Sequence, residues 1–547
     1  MRNKLIIIEE LSRKNLKWLK KHCRTDYTIF CINQSDNSVL NFVKDCKFVN
    51  LASYYFELTE ISFELLESEI DRVNLFVKEL SSLLKLDVST ALYRYLLGNY
   101  YIKKARVEKI KSLYDLDKYE AIYVDKNHII CEGFFNVLSL RPKLSKYYTF
   151  VLLCFRSIKS LKNIIKSNGN KVDLLLFIDS GEYGYLSKVP NMLRTANVNF
   201  MAVDKTGNNR KVCDLNQHNG YIYDRFYKYF FKAAYNQLKC INSRRISFFS
   251  SFVYNSLFAK SFFQELYTQF HPRVVLFANE YDIFQSIGYH QLKKNDVVAL
   301  NFMHGEKMYM LRDALAEYDD YMVWGDYYKH LFDRLRYRGK RISVTGNPTH
   351  DAIINYQVTD KELINIRKSY KKVISVYTQS LKSPERLLTK EWVTQMITDI
   401  CDYARHRRDV FVFVKNHSNE LSFSAIDYDK IIGSLQNVKR CCKEYKLYDL
   451  VTISDLILTP YSTVGLEAIL FGKNVIYLNY GAVRNLIPYA LENSAIELND
   501  NINFEYYVDR LLDGSIELNR QKTIELHANG LDGHSAQHVF EQIIKYL

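Results

Sequence analysis

The chain has 547 residues, 48% of them hydrophobic and 25% charged, a balance that excludes a disordered or fibrous polypeptide and allows two or three globular domains. Seven prolines and 19 glycines leave little room for long flexible linkers. The formal charge of +14 is dispersed among acids, with no dense basic block and no RNA-binding signature. Nucleic acid is therefore not expected as a partner; a solvated basic surface is the first reading, and a peripheral contact with an anionic membrane surface the next.

The N-terminal apolar run Leu5–Ile8 is followed at once by two glutamates, so it reads as a first strand rather than a signal peptide. No stretch of 18 apolar residues predicts a membrane span. Ten cysteines without CxxC spacing suggest reduced, mostly buried thiols. The expected compartment is the cytoplasm, including the inner face of the membrane.

Short β-branched runs alternate with longer amphipathic stretches along the whole sequence, the pattern of parallel α/β units. Leu5–Ile8, Tyr27–Ile32 and Ala121–Val124 predict strands, with helices over Ser12–Lys21 and within Glu57–Lys111. Residues 1–145 thus form an N-terminal α/β region with no visible chemistry. A second series comprises the strands Phe150–Phe155, Leu174–Ile178, Asn199–Val203, Val274–Phe277 and Val297–Phe302. Its helices are expected over Tyr221–Leu238, Ile246–Phe270 and Asp282–Leu292, with a loop over Lys205–Gly220. A third series takes Tyr321–Val323, Ile342–Thr345, Val373–Tyr377, Val410–Val414, Leu456–Leu458 and Val475–Leu478. The expected division is therefore 1–145, 146–318 and 319–547, the last ending in a C-terminal helix. Continuous apolar runs such as VFVFV are strands buried on both faces, as parallel sheets covered by helices require. The fold class is α/β, with two Rossmann-like sheets facing across a cleft.

Ligands bind beyond the carboxyl ends of strands in such sheets, and polar clusters stand at those ends. His304-Gly305-Glu306 follows Val297–Phe302, Thr378-Gln379 follows Val373–Tyr377, Lys415-Asn416-His417 follows Val410–Val414, and Ser462-Thr463 comes shortly after Leu456–Leu458. Ser462 and Thr463 open a predicted helix, whose unpaired N–H groups and partial positive charge suit a phosphate. Glu467 lies one turn on, placed to accept hydrogen bonds from ribose hydroxyls; helix capping by Ser462 and a surface role for Glu467 are the plainer alternatives. Asp179-Ser180-Gly181-Glu182 after Leu174–Ile178 reads either as a loop that contacts the acceptor or as a simple Asx turn.

The run from strand Leu456–Leu458 through Ser462-Thr463, Glu467-Ala468 and Gly472-Lys473 to Val475 resembles the nucleotide-binding signature of bacterial GT-B transferases of surface polysaccharide synthesis. Nearest in pattern are the CDP-glycerol glycerophosphotransferases, the polysialyltransferases and the capsule Kdo transferases. Lys415-Asn416-His417 is similar to their (K/R)-x-H-P motif, with Ser418 in place of proline; Gly346-Asn347-Pro348 matches their G-N-P turn. Asp532-Gly533-His534-Ser535 resembles their D-G-x-x-S/A segment, with His538 near where an arginine is usual. The resemblance covers about residues 270–547. It implies a transfer from a CMP- or CDP-linked donor, in preference to UDP, to a hydroxyl of a growing polysaccharide or glycolipid. Gly346, Asn347, Thr378, Gln379, Lys415, His417, Ser462, Thr463 and Glu467 would hold the donor. His304 would be the general base, with Glu306 orienting it or replacing it, and Glu182 lies in a segment loosely similar to the acidic-Gly motif that holds the polysialyltransferases' base.

No GxxxxGK(S/T), GxGxxG or HExxH motif occurs, and Asp115/Asp117 and Asp427/Asp429 follow no convincing strand. Neither a metal nor a cofactor is expected beyond the nucleotide-activated donor itself. Two rival readings stand beside the transferase. One is an enzyme like the UDP-N-acetylglucosamine 2-epimerases, which share the G-N-x-x-x-D turn seen at Gly346–Asp351. The other is a non-enzymatic basic protein that binds nucleic acid or a secretion partner.

Overall fold

The computed structural model describes residues 4–10, 27–33, 46–119, 122–125, 136–138, 171–178, 183–203, 250–278, 280, 283–379, 388–417, 426–441, 444–481 and 485–547. The expected elements Ser12–Lys21, Phe150–Phe155, Lys205–Gly220 and Tyr221–Leu238, and the turn holding Glu182, lie outside the described residues.

Three parallel sheets follow one another. The first holds β1 (Lys4–Glu10), β2 (Tyr27–Asn33), β3 (Cys46–Phe48), β4 (Ile122–Asp125) and β5 (Asn136–Leu138), in the order β3-β2-β1-β4-β5. Leu5 and Ile7 of β1 share a small core with Phe30, Val49, Leu58 and Ile110. Between β3 and β4 run the helices Tyr55–Ser68, Ile70–Leu84, Ser89–Leu96 and Ile102–Leu113. Their other apolar residues, among them Phe63, Leu80, Leu92 and Leu96, belong to the main core, so these helices join the first sheet to the second.

The second sheet contains β6 (Leu174–Phe177), β7 (Phe200–Val203), β8 (Val274–Phe277), β9 (Val298–Phe302), β10 (Asp320–Val323) and β11 (Ile342–Val344), in the order β11-β10-β9-β8-β6-β7. The third contains β12 (Lys372–Tyr377), β13 (Val410–Lys415), β14 (Val438–Cys441), β15 (Leu456–Thr459), β16 (Asn474–Leu478) and β17 (Ile496–Leu498), in the order β14-β13-β12-β15-β16-β17. β12, β13 and β15 are almost wholly buried, as both-face coverage demands. The order reverses between β12 and β15, which makes their carboxyl ends the switch point where ligands bind in doubly wound sheets.

One expectation is corrected. The strands read as the opening of the third series, Tyr321–Val323 and Ile342–Thr345, complete the second sheet: Tyr321 pairs with Asn301 of β9 and with Ile342 of β11. The boundary therefore moves from residue 319 to about Gly346. Apolar runs announce strands without naming their partners, and here local continuity keeps β9, β10 and β11 adjacent. The C-terminal helix Ser535–Ile544 also returns to the second sheet. Gln542 donates to Asp320 and, at 3.1 Å, to Ser343, while the Tyr546 hydroxyl donates to Asp320 at 3.0 Å.

Gly346, at φ +75°, starts the crossing. A Cβ there would stand 2.3 Å from the Ser535 hydroxyl, so only glycine lets the two segments approach. Asp351 accepts from the N–H groups of Ser535 and Ala536 at 3.0 and 2.9 Å, capping the returning helix. The segment Gly346–Asp351 is thus tied to the start of the C-terminal helix by backbone fit and by a cap.

Candidate functional site

The carboxyl ends of the second and third sheets meet at two short segments. β9 delivers His304-Gly305-Glu306, and β15 leads through Tyr461 into the helix Thr463–Leu470. They touch directly: the Glu306 N–H donates to the Thr463 hydroxyl at 3.5 Å. The Tyr489 hydroxyl, from the third domain, donates to the Glu306 carboxyl.

The His-Gly-Glu turn is held from beneath. Lys307 and Glu280 form an ion pair in which both side chains are essentially buried, and Lys307 also donates to the His304 carbonyl. Trp324 Nε1 donates to the Met303 carbonyl at 3.1 Å, fixing the end of β9. Gly305 has φ +65°, and a Cβ there would meet nothing within 4 Å, so the backbone turn and not packing calls for glycine. The His304 ring meets the edge of Tyr185 at 5.4 Å. Burial, with the nearby charges of Lys307 and Arg312, pushes its imidazole down to about 3, so the ring is neutral at pH 7.

Two carboxyls face this junction in unusual states. Burial pushes Glu306 up to about 8, against the Tyr489 hydrogen bond and with help from the charges of Glu467 and Glu492. Burial likewise raises Glu467 to about 7, and the Tyr448 hydroxyl donates to it at 3.2 Å. Glu467 is only 9% exposed, deeper than a surface acid would be. Perturbed acids in a junction between sheets are the usual mark of a working site.

The remaining predicted residues gather along the third sheet. Ser462 caps its helix, accepting from the Val464 N–H at 3.4 Å. Gly465 lets that helix close on β16, since a Cβ would fall 1.9 Å from the Tyr477 hydroxyl. Gln379 donates to the Tyr461 carbonyl at 3.1 Å, tying the ends of β12 and β15 across the switch point. The Thr378 hydroxyl accepts from the His417 N–H at 3.1 Å, and the Thr378 N–H donates to the Lys415 carbonyl. Lys415 itself donates to the Tyr445 carbonyl at 3.1 Å. Asn416, between them, is buried and accepts from Arg440 at 2.7 Å. Gly346 and Asn347 stand instead at the crossing: Asn347 accepts from Thr349 and bonds His350 at 3.1 Å. Among the described residues no three His, Cys, Asp or Glu side chains are grouped to hold a metal, and no helix is long and apolar enough to cross a membrane.

Sequence reasoning did not single out Tyr489, Tyr448, Lys307 or Glu280. Lys307 adjoins the His-Gly-Glu cluster and Glu280 stands just beyond the carboxyl end of β8, so both were within reach of a local reading; Tyr489 and Tyr448 arrive from other segments and carry no local signal.

Two doubly wound parallel sheets meeting at their carboxyl ends make this a GT-B fold. No family model and no curated protein matches the chain. Solved structures similar to it include S. aureus MnaA in a co-structure with UDP (14% identity, 69% of this chain and 96% of that one, TM-score 0.46). Another is the UDP-GlcNAc 2-epimerase from Neisseria meningitidis bound to UDP-GlcNAc (14%, 68% and 99%, TM-score 0.44). A variant of the wall teichoic acid polymerase TagF is a third (14%, 73% and 97%, TM-score 0.42).

Proposed function

We propose that this chain is a metal-independent transferase that moves a group from a nucleotide-activated donor to a hydroxyl of a surface polysaccharide or glycolipid. The contact of Glu306 with Thr463 carries the reading, because it brings the His304 turn to the start of the helix best suited to hold phosphate. In this reading the donor's phosphates lie at Ser462, Thr463, Lys415 and His417, and Glu467 takes a ribose hydroxyl.

The acceptor oxygen attacks the donor's electrophilic centre as His304 removes its proton. The bond to the departing phosphate breaks, and the nucleotide leaves with that electron pair. Its charge is met by the Lys415 ammonium and the helix N-terminus, in a site whose fixed dipoles need no reorganisation. An imidazole near 3 is neutral but weakly basic. The donor's anionic phosphates counter Lys307 and Arg312 and raise its basicity when the substrate arrives. Glu306, held largely protonated, keeps a second negative charge away from those phosphates.

Calorimetric titration with CMP, CDP, UDP and GDP tests the donor site, and CMP or CDP is expected to bind most tightly. Product analysis with and without an acceptor then separates transfer from epimerisation. A nucleotide sugar converted with no acceptor present would overturn the transferase assignment. Binding of polynucleotide with no nucleotide binding would remove the enzyme altogether.

A further inference from the structure

The loop that continues from the His304 turn, residues 307–317, is gripped from outside its own sheet. The helix Ser89–Leu96 sends Arg94, only 6% exposed, to donate to the Arg312 carbonyl at 2.8 Å. Thr90, one turn earlier on the same face, donates to Glu317 Oε2 at 2.9 Å, while His290 Nε2 bonds the other oxygen of Glu317 at 2.6 Å. Farther back, Glu60 accepts from the Tyr309 hydroxyl. Three residues of the N-terminal helices therefore hold three points of one loop.

Burying a guanidinium is costly unless partners compensate it. Arg94 arrives at the peptide that joins Arg312 to Asp313, and Asp313 is wholly buried. Neither Asp313 carboxylate oxygen has a hydrogen-bond partner among the described residues; Arg312 Nε stands 3.7 Å from one of them. The same two residues act on His304, Arg312 holding its imidazole down and Asp313 drawing it up. A loop carrying an unbonded buried acid needs an outside brace to keep its geometry.

We propose that the N-terminal helices brace the catalytic loop, with Arg94 as a positioning residue for His304 and Glu306. This rests on the transferase reading of the same site. Displacing reacting groups by about 1 Å costs on the order of 10²-fold in rate, so the brace acts on turnover and leaves the donor contacts of the third domain alone.

The test uses the full chain with Arg94→Ala, Arg94→Lys and Thr90→Val. Calorimetry with the preferred nucleotide gives Kd and the number of competent sites, and kcat is expressed per competent site. Arg94→Ala is expected to lower kcat about 10- to 100-fold with Kd within about twofold, and Arg94→Lys to recover part of the loss. Should Arg94→Ala not fold, Arg94→Lys and Thr90→Val carry the comparison, each with a smaller fall in kcat at unchanged Kd. Unchanged kcat per site in the folded variants overturns the brace, as does a loss that merely tracks the fraction of competent sites. If the wild-type protein turns over no nucleotide donor, the transferase reading fails instead. Hydrogen exchange then decides on the brace: amides of 307–317 lose protection in the variants if it exists and keep it if it does not.

Discussion

The N–H of Glu306 donates to the hydroxyl of Thr463 at 3.5 Å, joining a loop of the second sheet to the first turn of a helix on the third. One end of that contact belongs to the proposed chemistry and the other to the proposed donor site. Substitutions on the two sides should therefore separate binding from turnover.

On the donor side, Lys415→Ala should weaken nucleotide diphosphate binding by about 1.5–3 kcal/mol, the usual worth of a hydrogen bond to a charged group. Lys415 ends β13, and its ammonium donates to the Tyr445 carbonyl at 3.1 Å. Calorimetry on the folded variant checks this, and an unchanged Kd would take Lys415 out of the site.

Glu467→Gln should reduce affinity for ribonucleotides more than for the matching 2′-deoxyribonucleotides, because the lost interaction is with a ribose hydroxyl. The amide keeps the shape and can still accept from Tyr448. A lower melting temperature with equal affinity for both sugars would make Glu467 a structural acid.

Gly346→Ala should act on stability. The new Cβ meets the Ser535 hydroxyl at 2.3 Å and must adopt φ +75°, so the C-terminal helix loses its seat. A cost of about 1–3 kcal/mol is expected for overpacking of this kind, read as a lower melting temperature with nucleotide Kd unchanged for the folded protein. A large change in Kd without loss of stability would return Gly346 to the donor site.

How much of this was legible in the sequence differs between fold and site. The polar clusters after β9, β12, β13 and β15 were visible, since buried parallel strands are continuous apolar runs and a ligand site needs polar residues beyond them; Asn279-Glu280 after β8 was passed over. The allocation of β10 and β11 was not, because pairing depends on partners that an apolar run does not specify. β3, β5, β14 and β17 were missed for a related reason: three or four residues, some polar as in Val438–Cys441, make no periodic signal. In the site, His304 and Glu306 were readable as a motif. Tyr489, which lies 183 residues from Glu306 in the chain, becomes its partner only through the meeting of two domains.

Stability should have a plateau on the acid side of neutrality. Glu306 and Glu467 titrate near 8 and 7 against an ordinary value of 4.5, so their contribution is complete below about 4.5 and is lost as pH rises through 7–8. His304 and His350 are held down to about 3 from 6.5, so theirs is complete above 6.5 and is lost as pH falls towards 3. The opposing slopes offset each other between about 4.5 and 6.5. Melting temperature across pH should fall on both sides of that window, and Glu306→Gln should flatten the alkaline side. An alkaline slope unaltered by that substitution would place the titrating groups elsewhere.

The last prediction concerns His304. It ends β9 through Met303, its loop rests on the buried Lys307–Glu280 pair, and its ring is neutral at pH 7. If it removes the acceptor proton, His304→Ala should lower kcat by roughly 10²–10⁴-fold, the usual contribution of a general base. Donor Kd should hardly move, because the proposed phosphate contacts belong to the third sheet. The acid limb of the pH–rate profile should disappear with the imidazole. A variant whose donor Kd rises sharply while saturated kcat survives would move His304 into the donor site. Survival of both would pass the role of base to Glu306 or Glu182, and Glu306→Gln and Glu182→Gln, assayed in the same two measurements, would decide between them.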